Sequence, residues 1–279
     1  VVCDDGSTSN IHFTTTNSGG ASFYTWENDN PAIGLSSSGT GDIPPFPTPN
    51  NGFGPIVGNI TVTPHFTLGT ATCDGPIETF SITVNPTAHV EKPDDQVVCN
   101  GEDIALINFE TQNTDGTMTY TWTNSVPEIG LVSTGTGTIA VFSAVNTGLN
   151  PVVASIEVTP WYEFDGTQCT GPAKTFTITV NPTAHADLPN SLAACHGKPV
   201  APTVFTSDNG LGITTYTWTN DNASIGLASL GTGDIAGFNG INTGSTPVTA
   251  NIEVIPRFEY DGHACFGPPK TFTITVNPL

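Results

Sequence analysis

The sequence predicts an all-β chain made of three small sandwich domains in tandem, and three observations predict it. The first is a fixed step of 96 residues: Cys3, Cys99 and Cys195 are spaced by it, and so are Cys73, Cys169 and Cys265. Tyr24-Thr25-Trp26 returns at Tyr120 and Tyr216, Ile33-Gly34-Leu35 at Ile129 and Ile225, and Gly39-Thr40-Gly41 at Gly135 and Gly231. A period this long suits an autonomous domain, since solenoid repeats run to roughly 20–50 residues. The second is strict alternation of apolar residues with threonine, the two-residue period of a half-buried strand. The third is composition: 30 Gly and 23 Pro with no stretch of 3.6-residue periodicity leave little room for helix.

The elements of the middle copy follow in order. A short strand around Val97-Val98-Cys99 opens it, and Ile107-Asn108-Phe109-Glu110 forms the next. Tyr120-Thr121-Trp122 starts a strand whose tryptophan faces the core. Gly135-Thr136-Gly137 and Asn146-Thr147-Gly148 are turns. Ile156-Glu157-Val158-Thr159 is a further strand. In Thr175-Phe176-Thr177-Ile178-Thr179-Val180, the last strand, the apolar side chains share one face. Six or seven such strands in about 90 residues, with a core tryptophan and a disulfide, describe an Ig-like sandwich. The boundaries expected are 1–90, 91–186 and 187–279. The expected core includes Trp26, Trp122 and Trp218, buried against the disulfide region, with Phe80, Phe176 and Phe272 from the last strands.

Two cysteines per copy at a constant separation of 70 suggest one bond within each domain: Cys3–Cys73, Cys99–Cys169 and Cys195–Cys265. Pairing Cys73 with Cys99 across the linker is the competitor, and it leaves Cys3 and Cys265 without partners. Stable disulfides imply an oxidising, extracytoplasmic location. No copy offers four Cys/His ligands at zinc spacing.

With 25 acidic and 5 basic residues, the formal charge is −20. Such a field repels phosphate backbones and anionic lipid, so neither nucleic acid nor a membrane is an expected partner, and membrane insertion is not expected. Acidity also raises calcium, which takes six to eight oxygens. No acidic position is shared by all three copies: Asp29 and Asp221 flank Ser125, and Asp42 and Asp234 flank Thr138. No metal or other cofactor is therefore assigned to the module. The remaining place for structural calcium is a junction, where Glu91, Asp94 and Asp95 lie near Asp4 and Asp5 or Glu102 and Asp103. Among the histidines only His89 and His185 share a position, in the linkers. No nucleophile elbow, metalloprotease helix or phosphate loop occurs, so no catalytic residues are assigned and an enzyme is not expected.

The string Tyr-Thr-Trp-Thr-Asn, Ile-Gly-Leu, Gly-Thr-Gly, Gly-Pro and Thr-Phe-Thr-Ile-Thr-Val-Asn-Pro resembles the PKD-like repeats of very large Bacteroidetes surface proteins. Gliding-motility adhesins of the SprB type, exported by type IX secretion, are the best-known examples. The resemblance covers all three copies, although Asn28, Asn124 and Asn220 stand where polycystic-kidney-disease domains carry an acidic glycine turn. It implies a non-catalytic stalk module on a bacterial cell surface, excerpted from a longer array that forms a filament. The implied partners are neighbouring repeats, motility or secretion machinery, and external surfaces or polysaccharide. The rival is a carbohydrate- or surface-binding module of an adhesin or secreted hydrolase. The linkers Ala88–Asp95 and Ala184–Asn190 contain proline and no glycine, which favours a stiff, extended connection.

Overall fold

A computed structural model describes all residues, Val1–Leu279. The chain is all-β, with three repeated six-stranded mixed sheets. In the middle repeat the sheet runs in the order Thr134–Thr136, Thr117–Asn124, Val152–Phe164, Lys174–Asn181, Gln96–Cys99. All neighbours are antiparallel except the last pair, where the opening strand lies parallel to the final one with Cys99 beside Asn181. A second layer, Asp103–Ile104 paired with Phe142–Ser143 and an Ile107–Ile139 bridge, closes the sandwich. The other two repeats copy this arrangement, giving three tandem Ig-like sandwiches.

The shared motifs each have a mechanical role. Ile33, Ile129 and Ile225 are wholly buried, and the glycine after each is left-handed (φ 94°, 97° and 97°), a turn a Cβ would obstruct. Asn28, Asn124 and Asn220 hold that turn from inside; Asn124 Nδ2 donates to the Leu131 carbonyl at 2.8 Å. The first glycine of Gly-Thr-Gly lies under the indole across the strand pair, so a Cβ on Gly135 would sit 2.1 Å from the Trp122 ring. Trp26, Trp122 and Trp218 are thus buried against an edge-strand glycine. They are not buried against the disulfide region, which lies beyond the long and final strands on the other side of the sheet. Phe176 and Phe272 are buried, whereas Phe80 is only half-buried.

The central strand is unusually long. Val152–Phe164 spans 13 residues; its first half pairs with the final strand and its last four residues with Thr167–Thr170. That hairpin projects from one pole of the module. Its two-residue turn is Asp165-Gly166, both at positive φ (49° and 72°), as the twist-matched hairpin turn demands. Asp261-Gly262 repeats it. These aspartates shape the turn.

The chain exposes 14462 Å². A compact monomer of 29.0 kDa would expose about 11,400 Å², and three separate domains of a third that mass about 15,300 Å². The observed area lies near the second figure. The three sandwiches therefore share only small junctions.

Candidate functional site: the inter-repeat junction

Each module carries its two cysteines at opposite poles. Cys3 sits beside Asn85 at the far end of the final strand, and Val84 beside it pairs with Ile56 at the start of the long strand. Cys73 pairs with Phe66 near the long strand's other end. Ten residues of strand separate the two levels, about 33 Å at 3.3 Å per residue. A disulfide spans no more than about 7 Å between Cα atoms. Bonds within a copy are excluded by this geometry.

The bonds run between copies instead. Cys3 joins Cys169 and Cys99 joins Cys265, with Cα atoms 5.7 and 5.5 Å apart and a sequence separation of 166 in each case. This corrects the pairings expected from sequence, Cys3–Cys73, Cys99–Cys169 and Cys195–Cys265, and also the competitor Cys73–Cys99. Cys73 and Cys195 are free and exposed. A perfect 96-residue period fixes both the 70-residue and the 166-residue separations, so spacing alone could not choose between them. Only the poles could.

The hairpin of one module therefore docks on the opening-strand end of the module before it. Asn85, wholly buried, donates from Nδ2 to the Phe164 and Thr167 carbonyls at 3.1 Å each, gripping the backbone on both sides of the hairpin turn. Asn181 repeats this on Tyr260 and His263 at 3.1 and 3.2 Å. The residue after each cysteine then ties the loop below it. Asp4 Oδ1 accepts from the Asn50 N–H at 2.6 Å, Asn100 Oδ1 from Asn146 N–H at 2.8 Å, and His196 Nδ1 from Asn242 N–H at 3.0 Å. Three residue types supply one acceptor.

The connecting segments are not free linkers. Ala88 and Val90 are about 1% exposed, and Val90 belongs to the core of the second repeat together with Phe109 and Phe176. Ala184 and Ala186 are buried likewise. Asn113 receives the segment: its Oδ1 accepts the His89 N–H at 2.6 Å, and its Nδ2 donates to the Thr87 and Phe53 carbonyls. Asn209 does the same for His185, Thr183 and Leu149. Backbone bonds from Glu91 to Glu110 and from Asp187 to Thr206 extend the contact as β-pairing. The Ala88 carbonyl then lies over Gly171, where a Cβ would be 1.7 Å from it; Ala184 lies over Gly267 at 1.9 Å. This explains the glycine of the Gly-Pro pair in the second and third repeats.

Five of the seven junction acids are spent on local donors, Asp5 and Asp94 being the exceptions. Asp4 Oδ2 accepts from Thr87, Glu91 from Gln112, Glu102 from the Cys99 N–H, and Asp103 from Ser143. Asp95 takes Lys92 Nζ at 2.9 Å and the Thr177 N–H at 2.7 Å, which together hold its carboxyl below the ordinary carboxylate value. His185, Asp187 and Asp208 do cluster, but the matching residues at the first junction are His89, Glu91 and Gln112, an amide in place of the third acid.

One catalytic-looking row occurs outside the junctions. Thr25 Oγ1, His65 and Asp74 stand in hydrogen-bond order at 2.9 and 2.6 Å. Thr25 lies mid-strand between two paired neighbours, so the backbone there is committed to the ladder. The equivalent rows are Thr121, Trp161, Thr170 and Thr217, Arg257, Phe266. Trp161 instead donates from Nε1 to Thr121, and Arg257 pairs with Glu259 at 2.6 Å. These are different ways of covering one sheet face.

The exposed turns titrate. The Asn251 side-chain amide and backbone N–H both donate to Asp221, holding it below 3.8, and Asn59 does the same for Asp29. A lowered carboxyl pKa contributes stability that is complete above the unfolded value and is lost as pH falls through the folded one. Asp221→Asn should therefore lower the melting temperature at pH 7, by an amount that shrinks as pH falls below the ordinary carboxylate value. Ser125 fills the same place in the middle repeat and accepts the Ser155 N–H at 2.8 Å. Ser125→Ala should cost the same across that pH range, and a pH-dependent Ser125→Ala would overturn the assignment.

No family model matches the chain, and no curated protein matches it. Several solved structures are similar at low identity. The three N-terminal domains of the highly immunogenic outer capsid protein of bacteriophage RB49 align at 15% identity and TM-score 0.43, covering 92% of this chain and 88% of that one. Mouse protocadherin-24 EC1-3 aligns at 12% and 0.36, covering 100% and 96%. Drosophila N-cadherin EC1-4 aligns at 12% and 0.33, covering 100% and 73%. No helix of the chain is long and apolar enough to cross a membrane.

Proposed function

We propose that these repeats are a stalk: a stiff, protease-resistant spacer that holds a distal element away from a bacterial surface. The observation that carries the reading is the junction itself. Each connection combines a disulfide, a two-carbonyl asparagine grip and a connecting segment buried in the next core. A spacer needs all three, because bending at any junction would collapse its reach. The units of the array are 1–90, 91–186 and 187–279, with Val90 packing in the core of the second repeat and Ala186 buried at the second junction. The sequence resemblance to gliding-motility adhesins supports a bacterial cell-surface setting, type IX export and a role in adhesion during gliding. Neighbouring repeats are then the first partners, and motility machinery or an external surface the more distant ones.

The test is length and its persistence. Small-angle scattering should give a maximum dimension of about 110–130 Å, three modules at roughly 3.3 Å per strand residue plus turns. EDTA should leave both the dimension and the melting temperature unchanged, since local donors occupy five of the seven junction acids. Reductant should lower the melting temperature and broaden the distribution of shapes. A compact particle, or a chain that softens in EDTA and recovers with calcium, would end the proposal.

A further inference from the structure

The two ends of the array carry the two halves of a third junction. The first repeat has an open groove of about 640 Å³ lined by Phe13, Asn17, Tyr24, Phe66, Cys73 and Gly75, among others. In the second repeat the matching surface is filled by Ala88 and Val90, with Asn113, Cys169 and Gly171 as the contact points. In the third it is filled by Ala184 and Ala186, on Asn209, Cys265 and Gly267. Exposure follows this filling. Cys169 and Cys265 are 2% and 1% exposed while Cys73 is open; Tyr162 and Phe258 are fully buried while Phe66 is half-buried. This is also why Phe80 is less buried than Phe176 and Phe272. At the opposite end Cys195 lies beside Asn277, as Cys3 lies beside Asn85 and Cys99 beside Asn181. Asn277 is exposed, whereas Asn85 and Asn181 are wholly buried on the next hairpin.

We infer that the groove of the first repeat is the docking site for another module of this same repeat class. That module enters with the Asn-Pro-Thr-Ala-His segment that follows its final strand, and its opening-strand cysteine bonds to Cys73. The Cys195–Asn277 pole is the matching donor face. The inference extends the geometry of the two closed junctions, and it deepens the stalk reading by naming how modules join. The groove takes an extended peptide whose small residue carries a carbonyl over Gly75, whose next N–H is accepted by Asn17, and whose following apolar side chain meets Phe13 and Phe80. The bond forms when two thiols give up two protons and two electrons to a disulfide oxidant such as oxidised glutathione, which leaves as two reduced glutathione molecules. Docking comes first and sets the specificity; oxidation locks it.

The test uses the full chain with Leu279→Thr and Ala-His-Val-Glu-Lys, the sequence of residues 88–92, added after it. In a glutathione redox buffer this protein should form head-to-tail chains seen as a non-reducing ladder, with a Cys73–Cys195 peptide pair by mass spectrometry. Cys73→Ser or Cys195→Ser should abolish the ladder. Gly75→Ala should slow it at least tenfold. Gly75 is not left-handed and its only close neighbour is Pro64, whose ring, 2.9 Å from the added Cβ, must move aside. A melting curve first checks that the module is folded, and the Cβ then blocks the incoming carbonyl. Cys73–Cys73 or Cys195–Cys195 pairs, glutathione adducts alone, or a Gly75→Ala protein that links equally fast would overturn the inference. The stiffness of the two existing junctions, read by scattering on the monomer, is unaffected by that outcome, so the stalk reading stands or falls separately.

Discussion

Pulled from its two ends without reductant, the chain should yield a contour of only about 245 Å between Cys3 and Cys265, at 3.5 Å per extended residue. The covalent route runs from Cys3 to Cys169, back along 70 residues to Cys99, and across to Cys265. Reduced, the same span is 262 residues, or about 920 Å. Single-molecule stretching with and without reductant reads the difference directly. The first sandwich is shielded, the middle one carries the load from pole to pole, and the third is loaded only through its final strand, Lys270–Asn277, between Cys265 and the pulled end. The same overlap protects against cleavage. Lys92 lies inside the 3–169 loop, and Lys174, Lys198 and Arg257 lie inside the 99–265 loop. A chain nicked at any of them should keep its size on a non-reducing gel and separate only on reduction. Bonds within single modules would instead let a cut at Lys92 release the first domain. On the chain-entropy account each 166-residue closure contributes about 5 kcal/mol, and the two are not additive because the loops overlap.

The repeat period, the strands and the buried tryptophans were legible because each is written locally: a step of 96, a two-residue alternation, an aromatic in an alternating run. The disulfide partners were not, because a periodic sequence assigns the same register to a residue and to its counterpart one module away. A further signal was present and decisive. Asp165-Gly166 between Tyr162-Glu163-Phe164 and Thr167-Gln168-Cys169 marks a two-residue hairpin. That hairpin puts Cys169 at the pole opposite Cys99. The acids counted as metal candidates were illegible for a different reason. Asp4, Asn100 and His196 look unrelated by charge, and what unites them is a lone pair aimed at one backbone N–H. The connecting segments misled through composition: Asn-Pro-Thr-Ala-His carries turn residues and no strand pattern, yet its alanine and the residue after its histidine, Val90 or Ala186, are buried at the junction. Their burial depends on a surface further along the chain, from Asn113, 24 residues beyond His89, to Gly171, 83 residues beyond Ala88.

Gly171→Ala should open the first junction while leaving each sandwich folded. The backbone at Gly171 is not left-handed, so alanine brings no conformational strain of its own. Its Cβ, however, would lie 1.7 Å from the Ala88 carbonyl oxygen and 2.6 Å from its carbon, both backbone atoms that no rotamer change can move. Ordinary contact needs about twice that distance, so the segment must lift by well over 1 Å. Lifting it withdraws Ala88 and Val90 from the core and pulls the His89 N–H off Asn113. Exposing the valine alone costs about 1.5–3 kcal/mol, and with the lost hydrogen bonds at about 1 kcal/mol each the junction should weaken by roughly 3–5 kcal/mol. The Cys3–Cys169 bond stays, two residues away, so the modules remain tethered but hinge. Hydrogen exchange should quicken at His89 and Glu91, scattering should show a broadened shape, and Gly267→Ala should do the same at His185 and Asp187. Gly75→Ala is the control: no connecting segment lies over that position, the Pro64 ring at 2.9 Å must only move aside, and exchange at His89 should not change. Unchanged exchange protection at His89 in Gly171→Ala would mean the connecting segment does not seat over that glycine, and the docked junction would have to be abandoned.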